Sequence, residues 1–299
     1  FIKCIYIQIM ALDSKIIDIA LQLYKDNFFK NINSVIDMGD QDLNISFNDL
    51  SEKFSRFNIE IDSTFDKSKS YPSRPRLPSS MFWKKIGINQ TDRLDLEKLD
   101  RNTDEKLSKF IKIDLNYPIE DQTKFEKYDL VTDFGNNEHP FNIVESYKTM
   151  HKLCKKNGYM FIHQAMFRGN GYYNFDPCFF ENLAAVNKFE CLHSSFVFQY
   201  SNNYFTTPLE SSILNIVNLN GLKYLGIIYL FKKTSDDELK IPYQGSGEKF
   251  EKDSFFVNRL NLNSDNPTRY YLPSSAEELS IRKLIKILIK KLKKKFKVN

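Results

Sequence analysis

Glycine is scarce in this chain, ten in 299 residues. No Gly-x-Gly-x-x-Gly run follows a strand-like segment, which argues against a nucleotide enzyme of the NAD-dependent kind. Cysteine is scarcer still. The four (Cys4, Cys154, Cys178, Cys191) show no Cys-x-x-Cys spacing. That pattern predicts reduced, mostly buried thiols and a cytoplasmic protein rather than a disulfide frame. The four histidines also lack metal-ligand spacing, so no metal is expected. No apolar run reaches the roughly 18–20 residues that span a bilayer. The opening stretch, residues 1–9, is apolar but short and lacks the layout of a signal peptide. The chain begins without Met, and Met10-Ala11-Leu12-Asp13 reads as a natural start. Residues 1–13 are therefore expected to be an extension outside the main domain.

Acidic residues are missing from one place. Residues 281–299 hold nine Lys/Arg and no Asp/Glu, leaving 34 Lys/Arg against 38 Asp/Glu in the other 280. A mildly acidic body lacks the clustered cations that phosphate contacts need, so nucleic acid is not an expected partner.

What is present is core-forming material: 41% hydrophobic and 14% aromatic residues argue against disorder. Ile16, Ile17, Ala20, Leu21, Leu23 and Tyr24 predict a helix over residues 14–31 with Ser14 as its cap. Val35-Ile36-Asp37 is a strand ending in an acid, with Gly39 just after it. Residues 49–57 predict a short helix, and the proline-bearing stretch Lys67–Ser80 a loop. Residues 81–87 read as one or two helical turns. Phe110–Asp114 and Tyr128–Asp133 are further strands ending in acids. A helix over 141–155, a strand at Tyr159–His163 and a helix over 176–187 opening on Asp176-Pro177 come next. Residues 190–200 and 223–232 are β-rich. Alternation of this kind predicts an α/β fold, a doubly wound and mostly parallel sheet. The expected domain covers residues 14–233, with a loop insertion at about 60–90. A polar segment follows at 234–273, then a basic amphipathic helix over 274–299.

Several acids fall where strands end: Asp37, Asp114, Asp133 and Asp95, with Asp92 a competitor for the last position. Ligands of open α/β sheets bind beyond the carboxyl ends of the strands. A cationic ribose-bearing cofactor supplies what such acids need: hydroxyls and an ammonium that donate hydrogen bonds, and a sulfonium whose positive charge they offset.

At these residues the sequence resembles class I S-adenosylmethionine-dependent methyltransferases of a bacterial, surface-glycan-associated or unassigned type. Val35-Ile36-Asp37-Met38-Gly39-Asp40-Gln41-Asp42 resembles the first-strand cofactor motif. Tyr128–His139, ending Asp133-Phe134-Gly135-Asn136-Asn137-Glu138-His139, resembles the fourth-strand motif, a strand, an acid and then Glu-His. His151–Met160 resembles the next helix, turn and strand. Gly169-Asn170-Gly171-Tyr172-Tyr173-Asn174-Phe175 resembles a segment found after that strand. The likeness spans roughly residues 30–200.

The resemblance implies S-adenosyl-L-methionine as cofactor and a small-molecule or glycan acceptor. It implies Asp37, Gly39 and Asp40 at the methionine end, Asp95 on the ribose, and Asp114 with Leu115 by the adenine. Asp133 and Gly135 close the site near the sulfonium, and His139 or His163 is the catalytic base. Two departures stand out. Gln41 replaces the second glycine of the first loop. The gap to the second strand is about 55 residues, where roughly 20 is usual. The lost glycine motivates the alternative of a non-catalytic, degenerate scaffold. His139 has a rival role as a cap for the following helix. His151, His193 and the Tyr172-Tyr173-Phe175 cluster read as structural. The basic tail has three readings: an interfacial helix at the inner membrane face, a helix docked on the body or a partner, and a solvated end. Its interleaved Ile and Leu favour the first.

Overall fold

A computed structural model describes residues 11–63, 65, 67, 76–98, 108–200, 203–214, 217 and 221–243. The basic tail and most of the proline-bearing stretch lie outside the described residues.

The chain opens with β1 (Leu12–Asp13) and α1 (Ser14–Lys25). Asp13, not Ser14, caps α1: its Oδ1 accepts the N–H groups of Lys15 and Ile16 at 2.9 and 3.1 Å. The helix stops short of residue 31 because Asn27 takes a left-handed backbone, and a 3-10 turn at Phe28–Asn31 follows. Next come β2 (Ser34–Met38), β3 (Leu43–Asn44), α2 (Phe47–Arg56) and α3 (Ser79–Lys85). They are followed by β4 (Gln90–Asp95), β5 (Lys109–Lys112), β6 (Tyr128–Phe134), α4 (Ile143–Leu153) and β7 (Cys154–Phe167). The described chain closes with α5 (Pro177–Asn187), β8 (Glu190–Tyr200), β9 (Asn203–Pro208), α6 (Ser211–Leu214) and β10 (Leu222–Lys232).

Eight strands form one sheet in the order β5-β4-β2-β6-β7-β10-β8-β9. β2, β4, β5, β6 and β7 pair in parallel. β10 runs antiparallel to both β7 and β8. The first five strands follow the winding of a dinucleotide-binding sheet, but the antiparallel β10 wedged between β7 and β8 departs from its usual strand order.

Strand alternation sorts the side chains between two faces. Val35, Leu130, Phe134 and Phe161 pack with Ile17, Leu21, Phe54, Phe82 and Trp83 from α1–α3. Ile36, Met38, Val131 and Ile162 pack with Met150, Leu153, Phe180 and Leu183 from α4 and α5. The sheet is thus covered on both sides, as the alternating pattern predicts. Among the described residues no helix is long and apolar enough to cross a membrane.

Candidate functional site

β2 and β6 are neighbours whose successors run to opposite sides of the sheet. The crevice beyond their carboxyl ends is the topological switch point. Two loops meet there, Gly39–Gln41 after β2 and Gly135–His139 after β6. Each starts on a glycine with positive φ, +87° at Gly39 and +79° at Gly135, a conformation side-chain-bearing residues seldom adopt. Space matters as well at Gly39: a Cβ there would lie 2.7 Å from Asn136 Oδ1. The Gly135 N–H donates to the His163 carbonyl at 2.8 Å, tying the β6 loop to β7.

Asp40 and Asp95 come together at this rim. The Asp40 N–H donates to Asp95 Oδ2 at 2.9 Å, and the Asp40 carboxylate is ion-paired with Arg93 Nε at 2.9 Å. Asp95 is half-buried and also accepts the Leu96 N–H at 2.6 Å. Asp92 is engaged elsewhere, accepting from Tyr128 Oη at 2.8 Å. Asp114 sits beyond β5 and closes a turn by accepting the Asn116 N–H and Nδ2 at 2.9 and 2.8 Å. Leu115 is buried beneath it. The Asn142 N–H donates to Asn116 Oδ1 at 2.9 Å, clasping this turn to the start of α4. Asn142, not His139, caps α4.

Asp37 and Asp133 do not share that rim. Asp37 turns to the face covered by α3, where it accepts from Trp83 Nε1 at 3.1 Å and from the hydroxyls of Ser79 and Thr132. Asp133 turns to the other face and accepts the N–H groups of Asn136 and Asn137 at 3.0 and 3.1 Å and Gln164 Nε2 at 2.6 Å. Burial pushes Asp37 up to about 6 and Asp133 up to about 7, against the pull of these donors. The expectation of carboxylates along one rim gives way here to a pair of buried anchors, because the two side chains alternate out of phase.

The histidines differ in setting. His139 keeps a third of its side chain exposed, with Nε2 3.7 Å from Glu138 Oε1. Its pKa is lowered by burial, with the charge of Asp95 opposing. Nε2 has no hydrogen-bond partner among the described residues. His163 is fully buried between β6 and β10, and its Nε2 meets Tyr224 Oη at 3.1 Å. Its pKa is lowered by burial, with Asp13 opposing. His151 stacks on Phe189, and His193 Nε2 meets Ser195 Oγ at 3.1 Å.

Sequence reasoning passed over Glu138, although it lies inside the fourth-strand block. Burial pushes it up to about 7, opposed by the backbone amides of Asn170, Ala165 and Gly171. The Gly169-Asn170-Gly171 segment folds onto it. A Cβ on Gly171 would overlap the Glu138 carbonyl, and the Tyr172 N–H donates to that carbonyl at 2.7 Å. The glycines were the available signal. Tyr224 gave none, since it arrives on an antiparallel strand 61 residues after His163.

No protein-family model matches the chain, and no curated protein matches it. Several solved structures resemble the chain at low scores. One is a 1,6-didemethyltoxoflavin-N1-methyltransferase of Burkholderia thailandensis with bound 1,6-didemethyltoxoflavin and S-adenosylhomocysteine. It is 10% identical, with a TM-score of 0.38 over 72% of this chain and 79% of that one. Another is a SAM-dependent methyltransferase of Archaeoglobus fulgidus, 13% identical, with a TM-score of 0.40 over 73% and 94%. A third is a TehB-like SAM-dependent methyltransferase of Corynebacterium glutamicum, 12% identical, with a TM-score of 0.37 over 71% and 87%.

Proposed function

We propose that the chain is an S-adenosyl-L-methionine-dependent methyltransferase acting on a small-molecule or glycan acceptor. The observation that carries this reading is the pair of left-handed glycines, Gly39 and Gly135, flanking the switch point beside the half-buried Asp95. Gly39 and the Asp40 backbone form the cradle for the methionine end. Asp95 accepts from the ribose hydroxyls. The Asp114–Leu115 turn flanks the adenine. Asp133 holds the second loop from beneath, Asp37 anchors α3, whose Ser79 N–H donates to the Gln41 carbonyl of the first loop, and Gly135 turns the second loop over the reacting end. The fit also draws on atoms left over at the rim: Gln41 Oε1 and Asn136 Nδ2 are buried without a partner among the described residues, as groups awaiting a polar ligand or water are.

When bound, the cofactor supplies an electrophilic methyl group on a sulfonium. The protein's part is positioning and proton acceptance. His139 is the base in this reading. Its lowered pKa keeps the imidazole neutral near pH 7, the form that takes a proton. His163, bonded to Tyr224, is the alternative base.

Gln41 supports a second reading, the degenerate scaffold. Its amide folds back and donates to the Met38 carbonyl at 2.7 Å, and its side chain is buried beside Gly39. Calorimetry with S-adenosylhomocysteine separates the two. The enzyme reading expects a Kd on the order of micromolar, weakened about tenfold in Asp95→Asn. A folded wild-type sample that gives no heat, while Gln41→Gly binds, establishes the scaffold reading instead.

A further inference from the structure

An apolar groove of about 410 Å³ lies between α4 and α5. Its walls include Val144, Tyr147, Phe179 and Leu183, and the segment after β10 contributes Ile241 and Tyr243. Ile241 and Tyr243 stay 51% and 59% exposed. Soluble proteins rarely leave so continuous an apolar surface to water without an occupant.

We propose that the occupant is this chain's own basic amphipathic segment, residues 281–296. Three observations converge on it. The described chain ends at Tyr243, in the wall of the groove itself, so the rest of the chain sets out from beside the groove. Residues 244–280 span it easily, since extended chain reaches about 3.3 Å per residue. Ile281, Leu284, Ile285, Leu288 and Leu292 recur at the spacing of one helix face, an apolar stripe matched to an apolar slot. Charge also agrees. The segment is all lysine and arginine among its charged residues, whereas the stretch leading to the groove exposes Asp236, Asp237 and Glu238 against Lys240, with Asp236 beside Lys233 at 3.8 Å, and Asp176 and Glu145 adjoin its wall residues in sequence. Lys148, on the same flank, is paired with Glu145 at 2.8 Å. Lysines around the stripe would lie over these acids while the aliphatic face enters the slot.

Cys178 lines the groove and reports on its cover, whereas Cys154 and Cys191 are buried. The test uses the full chain with Cys4→Ser. Maleimide modification of Cys178 is expected to be at least about tenfold slower in this chain than in one that also carries Leu284→Asp and Leu288→Asp. Equal rates overturn the proposal. So does protection that grows with protein concentration, which a second copy in the groove would give. Should the aspartates unfold the chain, Leu288→Cys replaces them. An intramolecular disulfide with Cys178 under mild oxidation upholds the proposal, and its absence refutes it. None of these readouts depends on cofactor binding.

Discussion

Asp37 on β2 and Asp133 on β6 stand one residue out of register on adjoining strands, and the pleat sends their carboxylates to opposite faces of the sheet. Each is surrounded by donors from its own face, so each secures a different half of the switch-point architecture. Asp37 ties α3 to the sheet through Trp83 and Ser79. Asp133 ties the loop after β6 to Gln164.

Removing Asp37 leaves the Trp83 indole N–H and two hydroxyls buried without an acceptor. Asp37→Ala is expected to destabilise the fold by ~3 kcal/mol or more. Asp37→Asn keeps acceptor capacity and is expected to cost about 1 kcal/mol. Urea unfolding monitored by Trp83 fluorescence measures both.

Glu138 predicts a pH dependence of unusual sign. Its carboxyl is raised in the fold to about 7, above the ordinary value near 4.5, so the folded state binds the extra proton. The contribution is fully present below the unfolded pKa and is lost as pH climbs to about 7. Compared with Glu138→Gln, the wild type is therefore expected to lose stability between roughly pH 5 and 7 and to run level above that. The buried His151 and His193, both lowered to about 4, act in the opposite direction below the ordinary histidine pKa. Only the difference between wild type and variant isolates Glu138. Chemical unfolding across that range checks it, and an identical pH profile in the two proteins refutes it.

Two glycines separate crowding from backbone strain. Gly171 packs against the Glu138 carbonyl, so Gly171→Ala must move main chain and is expected to cost ~3 kcal/mol. Gly87 has φ +99° with nothing near its missing Cβ. Gly87→Ala pays only for the left-handed conformation, ~1–2 kcal/mol. Equal losses in thermal unfolding would remove the close-packing account of the Gly169–Gly171 segment.

Cys154 and Cys191 are both pushed up to about 12 by burial. Thiols in that state are protonated and inert at pH 8. Native protein is expected to leave both unmodified by iodoacetamide until urea unfolds it, with peptide mass mapping as the readout.

Much of this architecture was legible because the carrying strands are apolar at their centres. Val35–Asp37, Tyr128–Asp133 and Tyr159–His163 announce themselves by β-branched and aromatic residues bounded by acids or glycine. The Asp176-Pro177 helix start was equally plain, and Asp176 does cap α5. β4 was the hard strand: Thr91, Asp92 and Arg93 are polar yet buried; Asp92 accepts from Tyr128 and Arg93 pairs with Asp40, and such partners are invisible to hydropathy. The antiparallel course of β10 was equally hidden. Its residues resemble those of a parallel strand, and direction is set by a connection whose composition does not encode it. The side-chain direction of the strand-end acids needed the phase of each strand, which a boundary uncertain by one residue erases.

Gln41 folds back beside Gly39, its side-chain amide donating to the Met38 carbonyl. A latch of that kind is worth about 1 kcal/mol. Anything binding there loses only about fivefold in apparent affinity by lifting it. In the methyltransferase reading, a glutamine held this weakly where that family carries glycine raises the threshold for cofactor entry rather than abolishing it.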